Sequence, residues 1–177
     1  PVFADINEET YNIDPENVRR LTTEKTKAVV AVDFTGQSVE LDALLSHCHE
    51  KGITLIEDGA HVIGTKYKGR CNGSIADMTT LSFHPVKTVT CGEGGAVLTN
   101  DENLYRKLLL YRAHGITRDP SLMEHEPDGP WYYEQLTLAM NYRMTDMQAA
   151  LLISQLKKLP MFMERRKEIV KRYNEAF

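Results

Sequence analysis

Apolar positions along the chain fall into short strand-sized runs that alternate with amphipathic stretches. Ala28-Val29-Val30-Ala31-Val32 is continuous and ends at Asp33, which predicts a strand buried on both faces, as in a parallel sheet. Leu41, Leu44, Leu45 and Cys48 recur at helical spacing, so a helix is expected over residues 41–51. Gly52 is placed to end it in the left-handed conformation. Ile53-Thr54-Leu55-Ile56-Glu57-Asp58 is the next strand, with Asp58 at its carboxyl end. Strand, helix, strand implies a right-handed crossover between parallel neighbours. Met78 to Phe83 and Ala96 to Thr99 predict two further strands. The fold class is α/β, with a mainly parallel sheet and flanking helices.

Capping and breaking residues mark the remaining elements. Asp14-Pro15 opens a helix that runs to about Leu21, the aspartate capping free N–H groups and the proline suiting the first helical position. Tyr67-Lys68-Gly69-Arg70 reads as a turn between extended pieces. Gly92-Glu93-Gly94-Gly95 reads as a flexible loop. Asp101 caps a helix from Glu102 to about Ala113, which Gly115 ends. Residues 119–133 are rich in proline, glycine, charge and aromatics, and predict a long loop or lid. Thr145-Asp146-Met147-Gln148 fits a capping box, followed by a helix to about Leu159. Pro160 is expected to break that helix, leaving a second one with a basic face of Arg165, Arg166, Lys167, Lys171 and Arg172.

Bulk properties narrow the function classes. The net charge of −4 over 177 residues argues against a general nucleic-acid binder. Apolar runs stay well short of the roughly 18–20 residues of a membrane span. Cys48, Cys71 and Cys91 are odd in number and form no CxxC pair, which suits free thiols in a reducing cytoplasm. The chain opens on the strand-like Pro1-Val2-Phe3-Ala4-Asp5-Ile6 and closes inside a helical pattern at Phe177, so it reads as a central piece of a longer enzyme.

Candidate chemistry concentrates at two strand ends. Ligands of α/β sheets gather beyond the carboxyl ends of strands, where Asp58 falls. Lys87 follows another strand in Ser82-Phe83-His84-Pro85-Val86-Lys87. A lysine that holds an aldehyde and a carboxylate that pairs with a ring nitrogen are what pyridoxal phosphate (PLP) requires. Ser82 reads equally as a phosphate ligand and as a strand-end serine bonded to backbone. His61 reads as a partner of the ring hydroxyl, or as a buried histidine bonded to backbone. His47-Cys48-His49 is not read as a metal site, because helical neighbours diverge and no second ligand pair has usable spacing.

Together these segments resemble the DegT-type nucleotide-sugar aminotransferases, which have the fold type I PLP architecture. The resemblance rests on Asn12-Ile13-Asp14-Pro15, Gly36-Gln37, Glu57-Asp58-Gly59-Ala60-His61, Ser82 to Lys87, Gly92 to Gly95 and Asn141-Tyr142-Arg143-Met144. It implies Lys87 as the cofactor lysine and Asp58 as partner of the pyridine nitrogen. It further implies Ser82 at the phosphate, His61 near the ring hydroxyl, and Asn141 reaching the phosphate of the neighbouring subunit's cofactor in a homodimer with shared sites. His114 to Pro120 and Gly129 to Glu134 add likeness to the C4 aminotransferases of pseudaminic acid biosynthesis. The implied reaction takes an amino group from L-glutamate to a UDP-linked 4-keto-6-deoxy-N-acetylhexosamine, in the cytoplasm. Rival readings are another nucleotide-linked keto sugar and a non-catalytic dimerisation or binding module. A related sugar dehydratase is disfavoured, since those enzymes carry His in place of Lys87. Residues 1–159 then form part of a large PLP-binding domain, and residues 160–177 a helix leading toward a C-terminal small domain.

Overall fold

The computed structural model describes residues 1–177. Helix α1 (Pro15–Leu21) starts at Asp14, whose carboxylate accepts the Glu16 amide. Strand β1 (Ala28–Val32) precedes helix α2 (Leu41–Lys51), which ends at Gly52 with φ +65°. Strand β2 (Thr54–Asp58) follows, then a hairpin of β3 (Lys66–Tyr67) and β4 (Arg70–Cys71). Strand β5 (Met78–Ser82) and strand β6 (Gly95–Leu98) complete a four-stranded sheet in the order β1-β2-β5-β6. The first three strands are mutually parallel, and β6 runs antiparallel to β5. A mainly parallel α/β sheet was the expectation, and it holds.

The register fixes which side chains share a face. Val32 pairs with Asp58 and Asp58 with Thr80, while Glu57 pairs with Thr79. Strand alternation therefore sets Asp58, Thr80 and Ser82 on one face and Leu55, Glu57 and Thr79 on the other. The second face is covered. Ala31, Leu41, Leu44, Cys48 and Leu55 have no exposed surface there. Each fully buried leucine contributes roughly 1.5–3 kcal/mol relative to exposure.

Two expectations are corrected. Strand β1 is buried on one face only: Val30 is 56% and Val32 46% exposed, whereas Ala31 is fully buried. An unbroken apolar run permits burial on both sides but does not require it, and within this chain α2 packs only on the Ala31 side. Pro160 does not break its helix. Helix α4 runs without interruption from Asp146 to Ala176. One proline removes one N–H donor and crowds one turn, a local penalty of about 3 kcal/mol that the flanking turns outlast. Three of the basic residues of its second half are matched within the helix, Arg165 against Glu168, Lys167 against Glu164 and Lys171 against Glu175.

The chain divides into two units, residues 1–99 with 146–177, and residues 100–145. The second unit holds helix α3 (Glu102–Arg112), capped by Asp101, and the paired strands β7 (Ile116–Thr117) and β8 (Glu134–Gln135). Its long loop is tied down. The Glu134 carboxylate accepts the amides of Glu124 (2.7 Å) and His125 (2.9 Å) and the Tyr132 hydroxyl (2.9 Å). These bonds, the Glu124 amide foremost, hold the Glu134 carboxyl below the usual carboxylate range. No helix of the structure is long and apolar enough to cross a membrane.

Candidate active site

The site is built at the carboxyl ends of β2 and β5. Asp58 closes β2, is half-buried, and accepts the Ala60 amide at 3.2 Å through Oδ1. That local bond holds the tight Gly59-Ala60 turn. Gly59 permits the turn because a Cβ there would lie 2.7 Å from Val62 and 2.9 Å from Thr79. His61 follows on the surface and is exposed, which removes the reading of a buried histidine bonded to backbone. Its carbonyl backs onto Gly36 so closely that a Cβ at Gly36 would stand 2.9 Å from it.

Ser82 ends β5, half-buried. Its Oγ accepts the His84 amide at 3.4 Å, a long bond that makes the strand-end reading real without consuming the hydroxyl proton. Phe83 then dives into the core at 4% exposure. Its carbonyl accepts the Cys91 amide (3.1 Å) and the Thr90 hydroxyl (2.9 Å), and its amide donates to Gly94 (2.8 Å). Residues 84–90 are thereby closed into a loop anchored at its base. Lys87 rides on this loop, half-buried, its amide bonded to the His84 carbonyl at 3.0 Å. Gly95, expected in a flexible loop, is the first residue of β6, where a Cβ would come 2.8 Å from the Leu81 carbonyl. The Gln148 side chain at the start of α4 donates to the Glu93 carbonyl at 2.8 Å and braces this glycine-rich segment.

Asp58 and Ser82 thus end two neighbouring strands of the first unit, and His61 and Lys87 follow in the loops after them. Asn141 belongs to the second unit, where it is exposed and bridges to Ala113. A groove of about 800 Å³ lies elsewhere, along the outer side of β1, lined by Phe3, Ile13, Leu21, Val30 and Phe34 among others. The His47-Cys48-His49 side chains go to separate partners. His47 Nε2 meets the Thr22 hydroxyl at 2.9 Å and His49 Nε2 meets Asp77 at 2.8 Å. Burial pushes the Cys48 thiol up to about 11.

One group escaped the sequence reading. Beneath Asp58, on the covered face, Glu57 is fully buried. It accepts Asn72 Nδ2 (2.8 Å), the Gly73 amide (3.1 Å) and the Thr79 hydroxyl (2.5 Å). Asp33 is equally buried and accepts the Val39 amide at 2.7 Å. The available signal was period two: Leu55 and Glu57 share a face, so an acid stands where the pattern requires a core residue.

The arrangement of a carboxylate, a hydroxyl and an amine at adjacent strand ends can hold an anionic ring cofactor. Comparison with known proteins bears on this. The family model described as "DegT/DnrJ/EryC1/StrS aminotransferase family" matches residues 1–177. The chain is 44% identical over its whole length to the spore coat polysaccharide biosynthesis protein SpsC of Bacillus subtilis, covering 45% of that protein. It is 36% identical over its whole length to the UDP-4-amino-4,6-dideoxy-N-acetyl-beta-L-altrosamine transaminase of Helicobacter pylori, covering 44%. The solved structure of Helicobacter pylori PseC, an aminotransferase involved in the biosynthesis of pseudoaminic acid, superposes with a TM-score of 0.91 at 36% identity. That superposition covers all of this chain and 45% of the other. The chain spans about half the length of the curated relatives it matches.

Proposed function

Because the chain belongs to the DegT/DnrJ/EryC1/StrS aminotransferase family, we propose that the full-length protein transfers an amino group from L-glutamate to C4 of a UDP-linked 4-keto-6-deoxy-N-acetylhexosamine. The observation that carries this reading is the register. Asp58 and Ser82 share one face of two paired parallel strands at their carboxyl ends, and Lys87 follows five residues after Ser82. Pyridoxal phosphate, on which the family's aminotransferases depend, supplies an electron-withdrawing ring that stabilises negative charge on the carbon losing its proton.

The chain's own residues fit that group and divide the work. Lys87 Nζ would hold the group through its aldehyde carbon, and the same amine, once displaced by the amino donor, would be the base for the proton on the donor's Cα. It returns a proton in the half-reaction on the keto sugar. The Asp58 carboxylate holds a proton on the ring nitrogen by charge-assisted hydrogen bonding. Ser82 Oγ keeps its hydroxyl proton to donate to the phosphate. His61, on the surface turn after Asp58, attends the ring hydroxyl, and Asn141 serves the phosphate of the neighbouring subunit's cofactor in a homodimer.

The test uses full-length protein loaded with PLP. Lys87→Ala is expected to abolish multiple turnover and the borohydride-sensitive visible absorbance of a lysine-bound cofactor. Wild-type protein given candidate UDP-keto sugars and glutamate should yield the 4-amino sugar, identified by mass and NMR. Sustained turnover by Lys87→Ala would refute the assignment.

A further inference from the structure

Beneath the proposed cofactor face lies a cluster with more acceptors than donors. Val39 N–H serves Asp33 Oδ1, Asn72 Nδ2 serves Glu57 Oε1, and Gly73 N–H and Thr79 Oγ1 serve Glu57 Oε2. Asp33 Oδ2 and Asn72 Oδ1 are buried with no donor at all. Glu57 pairs with Ala31, and Asp33 lies two residues beyond Ala31 on the same covered face, so joint ionisation of these two fully buried carboxyl groups is strongly disfavoured. The cluster is therefore short of one proton. Placed on Asp33 Oδ2, it turns an orphaned acceptor into a donor. Placed on Glu57, it would oppose three donors already aimed at that carboxylate.

We propose that Asp33 is a neutral acid that donates a hydrogen bond to an ionised Glu57, and that this pair acts as a set of positioning residues for Asp58 and His61. Glu57 immediately precedes Asp58 on β2, so bonds that hold Glu57 fix the pleat that aims Asp58 to the opposite face. Asp33 begins the turn containing Gly36, which abuts the His61 carbonyl. The inference rests on the reading of Asp58 as a cofactor ligand only for its consequence; the proton itself is read out without cofactor.

Titration gives one measurable signature. Burial first, then hydrogen bonding with Glu57, raises the Asp33 carboxyl from 3.8 to about 7. Glu57 on β2 is the ionisable group acting on it, and the Val39 amide and the Asn72 side chain both pull the other way. A carboxyl whose folded-state value exceeds its unfolded value makes the native state bind the extra proton. Its contribution to stability is therefore full below the unfolded value, declines as pH rises toward about 7, and is lost above it.

The experiment uses full-length protein without and with PLP. Asp33→Asn keeps an acceptor for Val39 and supplies a permanent donor to Glu57; Asp33→Leu supplies neither, and Glu57→Gln leaves the Val39 bond intact but removes the carboxylate that receives the proposed bond. At pH 6 the wild type is expected to show the infrared carbonyl stretch of a neutral carboxylic acid, absent from Asp33→Asn. The decline of the unfolding midpoint between pH 5 and pH 8 should flatten in Asp33→Asn. PLP affinity should stay within about twofold of wild type in Asp33→Asn and fall about tenfold or more in Asp33→Leu. An infrared band or a pH slope that persists unchanged in Asp33→Asn overturns the proton assignment, even if Glu57→Gln fails to fold. Equal loss of PLP affinity in Asp33→Asn and Asp33→Leu overturns the positioning role. Loss of PLP binding in the wild type itself would instead strike the functional reading of Asp58 and Lys87.

Discussion

Glu57 and Asp58 are neighbours of the same charge with opposite fates. The pleat sends Glu57 into the covered face, where three donors meet it, and Asp58 to the open face, where only the Ala60 amide does. A buried carboxylate is tolerated only when its lone pairs are satisfied. Thr79 supplies the shortest of those bonds, at 2.5 Å, from a fully buried position. Thr79→Val keeps the shape and deletes the donor. It should lower stability by about 1–3 kcal/mol, because the acid remains and its partner does not. Urea unfolding measures this, and an unchanged midpoint would show that Glu57 does not depend on the hydroxyl.

Element boundaries follow local chemistry closely where a special residue stands at the end. Helix α2 stops at Gly52, whose amide reaches back to the Cys48 and His49 carbonyls in the left-handed conformation. A Cβ at that position meets nothing within 4 Å, so substitution there isolates the backbone cost. Gly52→Ala is expected to destabilise by about 1 kcal/mol, and Gly52→Asn by less, since asparagine tolerates that region better. Thermal melts of the two variants decide it; equal midpoints for alanine and glycine would refute the account. Helix α4 shows the converse. Proline is a strong local signal, yet at Pro160 it sits inside 31 residues of helix that continue on both sides.

At the scale of the molecule, the two sides of one sheet are unlike. Leu55 is fully buried beside α2, whereas Val30 on the paired strand is more than half exposed on the other side. Leu55→Ala should cost about 2–5 kcal/mol through lost transfer energy and a cavity. Val30→Ala should cost well under ~1 kcal/mol in this chain, because little surface is removed from contact. Denaturant titration of both variants tests the contrast, and comparable losses would mean that the outer face is packed. The same two-sidedness puts the proposed cofactor ligands Asp58 and Ser82 on the open side, braced from behind by the Asp33–Glu57 cluster.

Periodicity and capping chemistry determined most of the secondary structure by themselves: α1, α2, α3, strands β1, β2, β5 and β6, and the free state of the three cysteines follow from spacing, Asp caps and Gly stops, whereas the short β7–β8 pair carried no such signal. Glu57-Asp58-Gly59-Ala60-His61 and Ser82 to Lys87 also announced the candidate site, since motif residues are contiguous. What sequence could not decide depended on which surfaces meet. Whether β1 is covered on one face or two, that β6 returns antiparallel, and that Asp33 and Glu57 are buried together are facts of packing between segments distant in the chain. A carboxylate in the sequence carries the same letter in water and in the core; only the tertiary structure sets the solvation and partners that determine where its proton resides.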